Sequence, residues 1–156
     1  MRPAANTWLI AVLLAAMGLA NGGVAASSET GDLRLNVDDA ALVALGRQVY
    51  ADQCASCHGA ELEGQPDWRR RRPDGKLPAP PHDETGHTWH HDDAMLFRLT
   101  KFGLQSLLND PSYATDMPAY DGVLSDREII AVLSFIKSAW SQEIRERHDL
   151  INGDRP

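Results

Sequence analysis

The chain has 156 residues, 15 basic and 22 acidic, for a formal net charge of -7, with 43% hydrophobic and 24% charged residues. That length suits one domain with one modest core. The acidic balance argues against nucleic acid and anionic membrane surfaces as partners and permits a basic docking protein, while two cysteines are too few for a disulfide scaffold.

In chain order, Met1-Arg2, the 13-residue apolar run Trp8 to Ala20 and the small residues Val24-Ala25-Ala26 read as a signal peptide over 1–26, cleaved after Ala26. The run is shorter than the roughly 20 residues that span a membrane. The expectation is therefore a periplasmic or otherwise exported protein with no membrane span in its mature chain. Cleavage removes Arg2 and no acid, leaving 14 basic against 22 acidic residues, a net charge of -8. Residues 27–36 are polar and read as a flexible lead-in.

A first helix is predicted from Val37-Asp38. Asp38 caps it, Val37 staples onto Leu42, and Leu42, Leu45, Gly46, Val49 and Tyr50 share one face. It runs directly into Cys54. Gly46 costs about 1 kcal/mol relative to alanine in mid-helix, so a glycine on an apolar face suggests that another helix crosses closely there. From Gly64 to Asp92 the chain is proline-rich and aperiodic, a long loop containing Trp68, the run Arg69 to Arg72, and Pro78, Pro80 and Pro81. The arginines read as a solvated loop or as a docking patch. Four of the six histidines, His82, His87, His90 and His91, follow.

Asp92 or Asp93 is expected to cap a second helix carrying Met95, Leu96, Leu99 and Phe102 and stopped by Gly103. A loop through Asn109-Asp110-Pro111 reaches Met117-Pro118-Ala119-Tyr120. A third helix then opens with a capping box, Ser125 to Glu128, stapled by Leu124 and Ile129, with Val132, Leu133, Ile136 and Trp140 on its apolar face. Residues 141–156 form a C-terminal extension with a short helix. No strand is expected.

Chemistry concentrates in Cys54-Ala55-Ser56-Cys57-His58. It reads C-x-x-C-H, the attachment sequence of a c-type haem. Two thiols one helical turn apart can each form a thioether to a haem vinyl group, and the following His58 is held under the iron as an axial ligand. A thioredoxin-like pair would want a βαβ setting. A zinc site from Cys54, Cys57, His87 and His91 leaves a gap of 29 residues, against about 12–15 in a finger, and leaves His58 without a role. The haem reading asks for a second axial ligand downstream. Met95 falls in the helical period and is expected in the core, whereas Met117 lies in a loop before a proline, where a side chain can be aimed.

On these residues the chain resembles the class I (monohaem) cytochromes c of bacterial exported type. The match covers Val37 to Trp140: Gly46 and Tyr50 ahead of Cys54, the attachment motif, Met117-Pro118 with Tyr120, and the final helix with Val132 to Lys137. The resemblance implies an all-α cytochrome c fold over 37–140. Three main helices would surround one haem c attached through Cys54 and Cys57, with a long loop insertion and a short C-terminal helix over 141–156. It implies that Gly46 meets the last of the three helices near Phe135. It also implies that the carbonyl of Pro80 or Pro81 accepts the Nδ1–H of His58, and that Tyr120 lies at the cofactor. The function implied is single-electron transfer between redox proteins through a His58/Met117-ligated iron, by transient docking and not by catalysis at the metal. The arginine run would then be a further candidate as counter-charge to a haem propionate. Two other classes stay open: a haem enzyme or sensor in which Met117 is displaceable, and a metal-handling protein in which His82, His87, His90 and His91 bind copper or another divalent ion.

Overall fold

The computed structural model describes residues 33–153; the expected signal peptide, residues 27–32 of the lead-in and the last three residues lie outside the described residues. The chain is all-α. In order it forms α1 (Ala40–Gln53), α2 (Ala55–His58), a single 3-10 turn (Thr88–His90), α3 (Asp93–Leu107), α4 (Asp126–Ser138) and α5 (Gln142–Ile151), with no strand among the described residues. None of these helices is long and apolar enough to cross a membrane.

The core is the crossing of α1 on α4. Leu42, Gly46, Val49 and Tyr50 are buried on α1, and every residue from Ala131 to Lys137 is buried on α4. Gly46 makes the crossing possible: a Cβ placed on it would lie 1.9 Å from the carbonyl oxygen of Ala131 and 2.9 Å from Cβ of Phe135. Backbone meets backbone there, and Phe135 closes over Tyr50 at a ring distance of 5.5 Å. Each large aliphatic sealed in this interface contributes about 1.5–3 kcal/mol of transfer free energy.

Helix starts follow side-chain capping with one correction. The cap of α1 is Asp39, whose carboxylate accepts from the Leu42 amide at 2.9 Å. Asp38 instead donates its amide to Asn36 Oδ1 at 3.0 Å, a local turn that delays the helix by one residue. The capping box of Ser125 and Glu128 is fully formed. At α3, Asp92 caps the Met95 amide at 2.7 Å. Gly103 does stop the regular helix: its φ of +77° breaks the α3 geometry, and one further turn runs on to Leu107. Beside this break Phe102 is 42% exposed, not a core residue, and Met95 is only half-buried.

The C-terminal extension is locked down by a polar network that hydrophobic periodicity does not reveal. Asp93 is 2% exposed and His148 fully buried. Asp93 Oδ2 accepts from the Leu35 amide at 3.0 Å, and the Asp93 amide donates to Asn152 Oδ1 at 2.8 Å. His148 Nε2 donates to the His91 carbonyl at 2.9 Å, while Asn152 Nδ2 lies 3.3 Å from Nδ1, a pattern that suits the neutral ring. Lys137, 5% exposed, pairs with Asp149 at 2.5 Å, and Trp140 packs edge-on to His148 at 5.1 Å. Helix α5 is thus fastened to α3, α4 and the histidine-rich segment by hydrogen bonds more than by its few apolar residues.

Gly46→Ala should destabilise the native state by about 2 kcal/mol or more, because overpacking outweighs the gain in helix propensity; the midpoint of urea unfolding reads it. A pH effect follows from His148, whose pKa is lowered by burial first and Lys137 second, against the opposing pull of Asp93, the bond to His91 and Asp149. The unfolded chain takes up this proton at about pH 6.5, before the native one does. The latch is therefore at full strength above that pH and weakens as pH falls through the lower native value. Amide exchange in α5, normalised to intrinsic rates, should lose protection below about pH 6.5, and His148→Gln should abolish that local dependence.

Candidate functional site

The motif sits where α1 ends. Cys54 closes α1 with its amide bonded to the Tyr50 carbonyl at 2.9 Å, then α2 forms one further turn that carries Cys57 and His58. The two thiols are not joined to each other; Cys57 is exposed and Cys54 half-buried. Burial, with Cys57 adding, pushes the Cys54 thiol up to about 11. A thioredoxin-type pair needs the opposite, a depressed thiol that is nucleophilic at neutral pH.

His58 is buried at 7% exposure. Its Nδ1 donates to the carbonyl of Pro80 at 2.8 Å, so of the two prolines it is Pro80 that meets the ring. Pro81 is buried beside it, its carbonyl within 2.0 Å of where a Cβ on Gly86 would stand. Burial lowers the His58 pKa, with the Pro80 bond acting in the other direction. The ring is then neutral with its proton on Nδ1, which leaves the Nε2 lone pair to face an acceptor of electrons such as a metal.

Pro80 is held in place by the turn that follows the motif. The Gly64 amide returns to the His58 carbonyl at 2.7 Å, Gln65 donates to the Ala79 carbonyl at 2.9 Å, and His82 donates to the Leu62 carbonyl at 2.8 Å. Leu62 adopts a φ of +68°, sparsely populated for a residue with a Cβ. In that conformation its one carbonyl accepts from His82 and, at 3.2 Å, from Asp83.

Two tyrosines tie neighbouring segments to the motif. Tyr50 donates its hydroxyl to the Gly59 carbonyl at 2.9 Å. Tyr120 donates to the Gln53 carbonyl at 2.8 Å, one residue before Cys54, and its amide bonds the Thr100 and Lys101 carbonyls at 3.1 Å. Burial raises both phenols, Tyr120 to about 12 with Cys54 and Cys57 adding, so they remain donors at any physiological pH. Met117 is half-buried in the loop that Tyr120 anchors, its amide donating to Thr115 Oγ1 at 3.1 Å.

The arginine run does something that composition did not suggest. Arg71 packs over the Tyr113 ring at 5.3 Å, and Arg72 and Lys76 both pair with Asp116, Arg72 at 3.6 Å. Asp116 directly precedes Met117, so the loop insertion contacts the methionine loop through exposed ion pairs. Arg69 lies over Trp68 at 4.2 Å. Only proximity in three dimensions exposes this role, since the partners are about 40 residues apart in the chain.

The histidine-rich segment does not converge on a metal. His82 stacks on His58, His87 on Trp68, and His90 on Trp89. His87 and His91 meet at 5.5 Å edge to face, but no group of three or more His, Cys, Asp or Glu among the described residues is placed to hold an ion. Cys54, Cys57, His87 and His91 do not form such a group either. His82 has its pKa lowered well below the ordinary value by burial first, then by His58 and His87.

Two thiols a helical turn apart, followed by an imidazole whose Nδ1 is bonded to Pro80, are the groups that covalent haem c attachment requires. No solved structure gives a significant match to the chain. The family model described as Cytochrome c matches residues 43–140, from within α1 to Trp140 and so across the α1–α4 crossing, the attachment motif and the methionine loop. The chain belongs to the cytochrome c family, whose members bind haem c covalently, and Cys54 and Cys57 fit its attachment.

Proposed function

We propose that this protein is an exported monohaem electron carrier of the class I type, with a single haem c joined to Cys54 and Cys57 and His58 and Met117 as the axial ligands. The observation that carries the reading is the Nδ1 bond of His58 to the Pro80 carbonyl at 2.8 Å, which orients the imidazole and reserves Nε2. When bound, the haem supplies a one-electron iron couple. The chain's own residues set its character. Pro80 fixes the tautomer of His58, and the hydrogen bond adds electron density to the ring. The Met117 thioether, if it holds the iron, would favour the reduced state. Tyr120 and the ion pairs of Asp116 connect to the loop from which Met117 would reach the iron, and with His58 and Met117 both holding it small molecules would find no open position.

Outer-sphere transfer through a transient interface of less than about 1,200 Å² is then the mode of action. The negative surface favours a donor and an acceptor with basic docking faces. The N-terminal pattern supports export to the periplasm, where attachment would take place, and the protein acts as a free carrier or as the electron-transfer subunit of a larger oxidoreductase. Displaceable Met117 ligation, as in a sensor, predicts a different spectrum and is separated by the same measurement.

The purified protein should give a low-spin c-type spectrum with the weak red sulfur-to-iron charge-transfer band. Met117→Ala should lose that band and gain CO binding in the ferrous state; a band that survives the substitution would show that Met117 is not the ligand. Mass spectrometry of the same preparation should find a mature chain beginning at Ser27 and carrying one haem.

A further inference from the structure

The His58 imidazole is held on its face as well as on its edge. The ring of His82 stacks on it with centroids 4.0 Å apart and an interplanar angle of 22°. The bond to Pro80 alone fixes the direction in which Nδ1 points, but it leaves the ring free to rotate about the N–H···O line. A second ring in van der Waals contact removes that freedom, because any rotation drives one ring into the other.

His82 is itself immobilised from four sides. Its Nδ1 is hydrogen-bonded to Oγ1 of Thr88 at 2.9 Å, and Thr88 is buried at 6% exposure. Its amide donates to Leu62 at 2.8 Å, its carbonyl accepts from Nε1 of Trp140 at 2.8 Å, and Tyr50 stands edge-on to its ring at 6.1 Å. With its backbone pinned at both amide and carbonyl and its ring held at Nδ1 and against Tyr50, His82 acts as a fixed wall. An aliphatic residue of similar volume would fill the space without defining a plane.

From this we infer that His82 is a positioning residue that sets the plane of the His58 imidazole relative to the haem. The inference rests on His58 being an axial ligand. The plane matters because overlap between the imidazole π system and the iron d orbitals depends on the angle of the ring about the iron–nitrogen axis. That angle governs how unpaired spin is distributed over the porphyrin in the ferric state. The role of His82 is therefore electronic as well as mechanical.

The test uses the intact haem-loaded protein and three variants. His82→Leu removes the ring, His82→Phe keeps a ring to stack but gives up the Thr88 bond, and Thr88→Val loosens His82 while leaving it in place. Proton NMR of the ferric protein reads the paramagnetic shifts of the four haem methyl groups, and absorption spectra report ligation. The expected result is a redistributed methyl-shift pattern in His82→Leu, restoration toward the parent pattern in His82→Phe, and broadened or intermediate shifts in Thr88→Val, all with low-spin spectra. A parent-like pattern in His82→Leu with ligation intact would overturn the inference. So would a pattern in His82→Phe as altered as in His82→Leu, since a stacking ring would then not matter. If the parent protein itself lacks a low-spin c-type spectrum, it is the axial role of His58 that fails. Should His82→Leu not accumulate, the comparison of His82→Phe with Thr88→Val still decides, because stacking predicts that the first stays closer to the parent.

Discussion

Everything in the structure hangs on two backbones being allowed to touch. Where α1 crosses α4, Gly46 faces the Ala131 carbonyl with no room for a side chain. That contact sets the angle at which α1 runs and so where it delivers Cys54, Cys57 and His58. It also presses Tyr50 against Phe135 and frees its hydroxyl to hold Gly59, immediately after the motif. A looser crossing would still bury hydrophobic surface, but it would not place two thiols and an imidazole to within fractions of an ångström. Stability and cofactor geometry here share one constraint.

Around that crossing the site is built from short loops bonded to one another rather than from long elements. The turn after His58 fastens the segment around Pro80, the segment around Pro80 orients His58, and Tyr120 returns from the far loop to the end of α1. Since a loop cannot leave buried amides unpaired, the aperiodic stretch from Gly64 to Asp92 has little choice in its path. Some of its carbonyls and amides support the segment that holds the imidazole, and Arg71, Arg72 and Lys76 reach across to the methionine loop.

Much of this could be read from sequence, and the reasons differ by feature. The helices announced themselves through periodicity and through Ser125–Glu128 capping, both local signals. The attachment motif and Gly46 could be read because chemistry and packing each demand a residue type at a set position. The choice between Pro80 and Pro81 could not, since adjacent carbonyls differ only in direction. The Asp116 ion pairs, the His58–His82 stack and the Asp93–His148–Asn152 network were out of reach for a common reason: each joins residues whose partners are set by loop paths, and a polar side chain carries no period that betrays its burial. The histidines left two readings open in the same way. Four in one short stretch suggest a shared ligand, yet each ring has found its own aromatic neighbour or hydrogen bond.

The polar network at Asp93 also bears on where the ends of the described chain lie. Leu35 is tied to Asp93 and Asn36 to Ser134 on α4, while Arg34 reaches the Asn152 carbonyl at 3.2 Å, so both ends of the described chain meet at one knot. The bonds that gather the two ends of the described chain are thus separate from those that orient Cys54 to His58, so the knot and the attachment turn are held by different sets of residues.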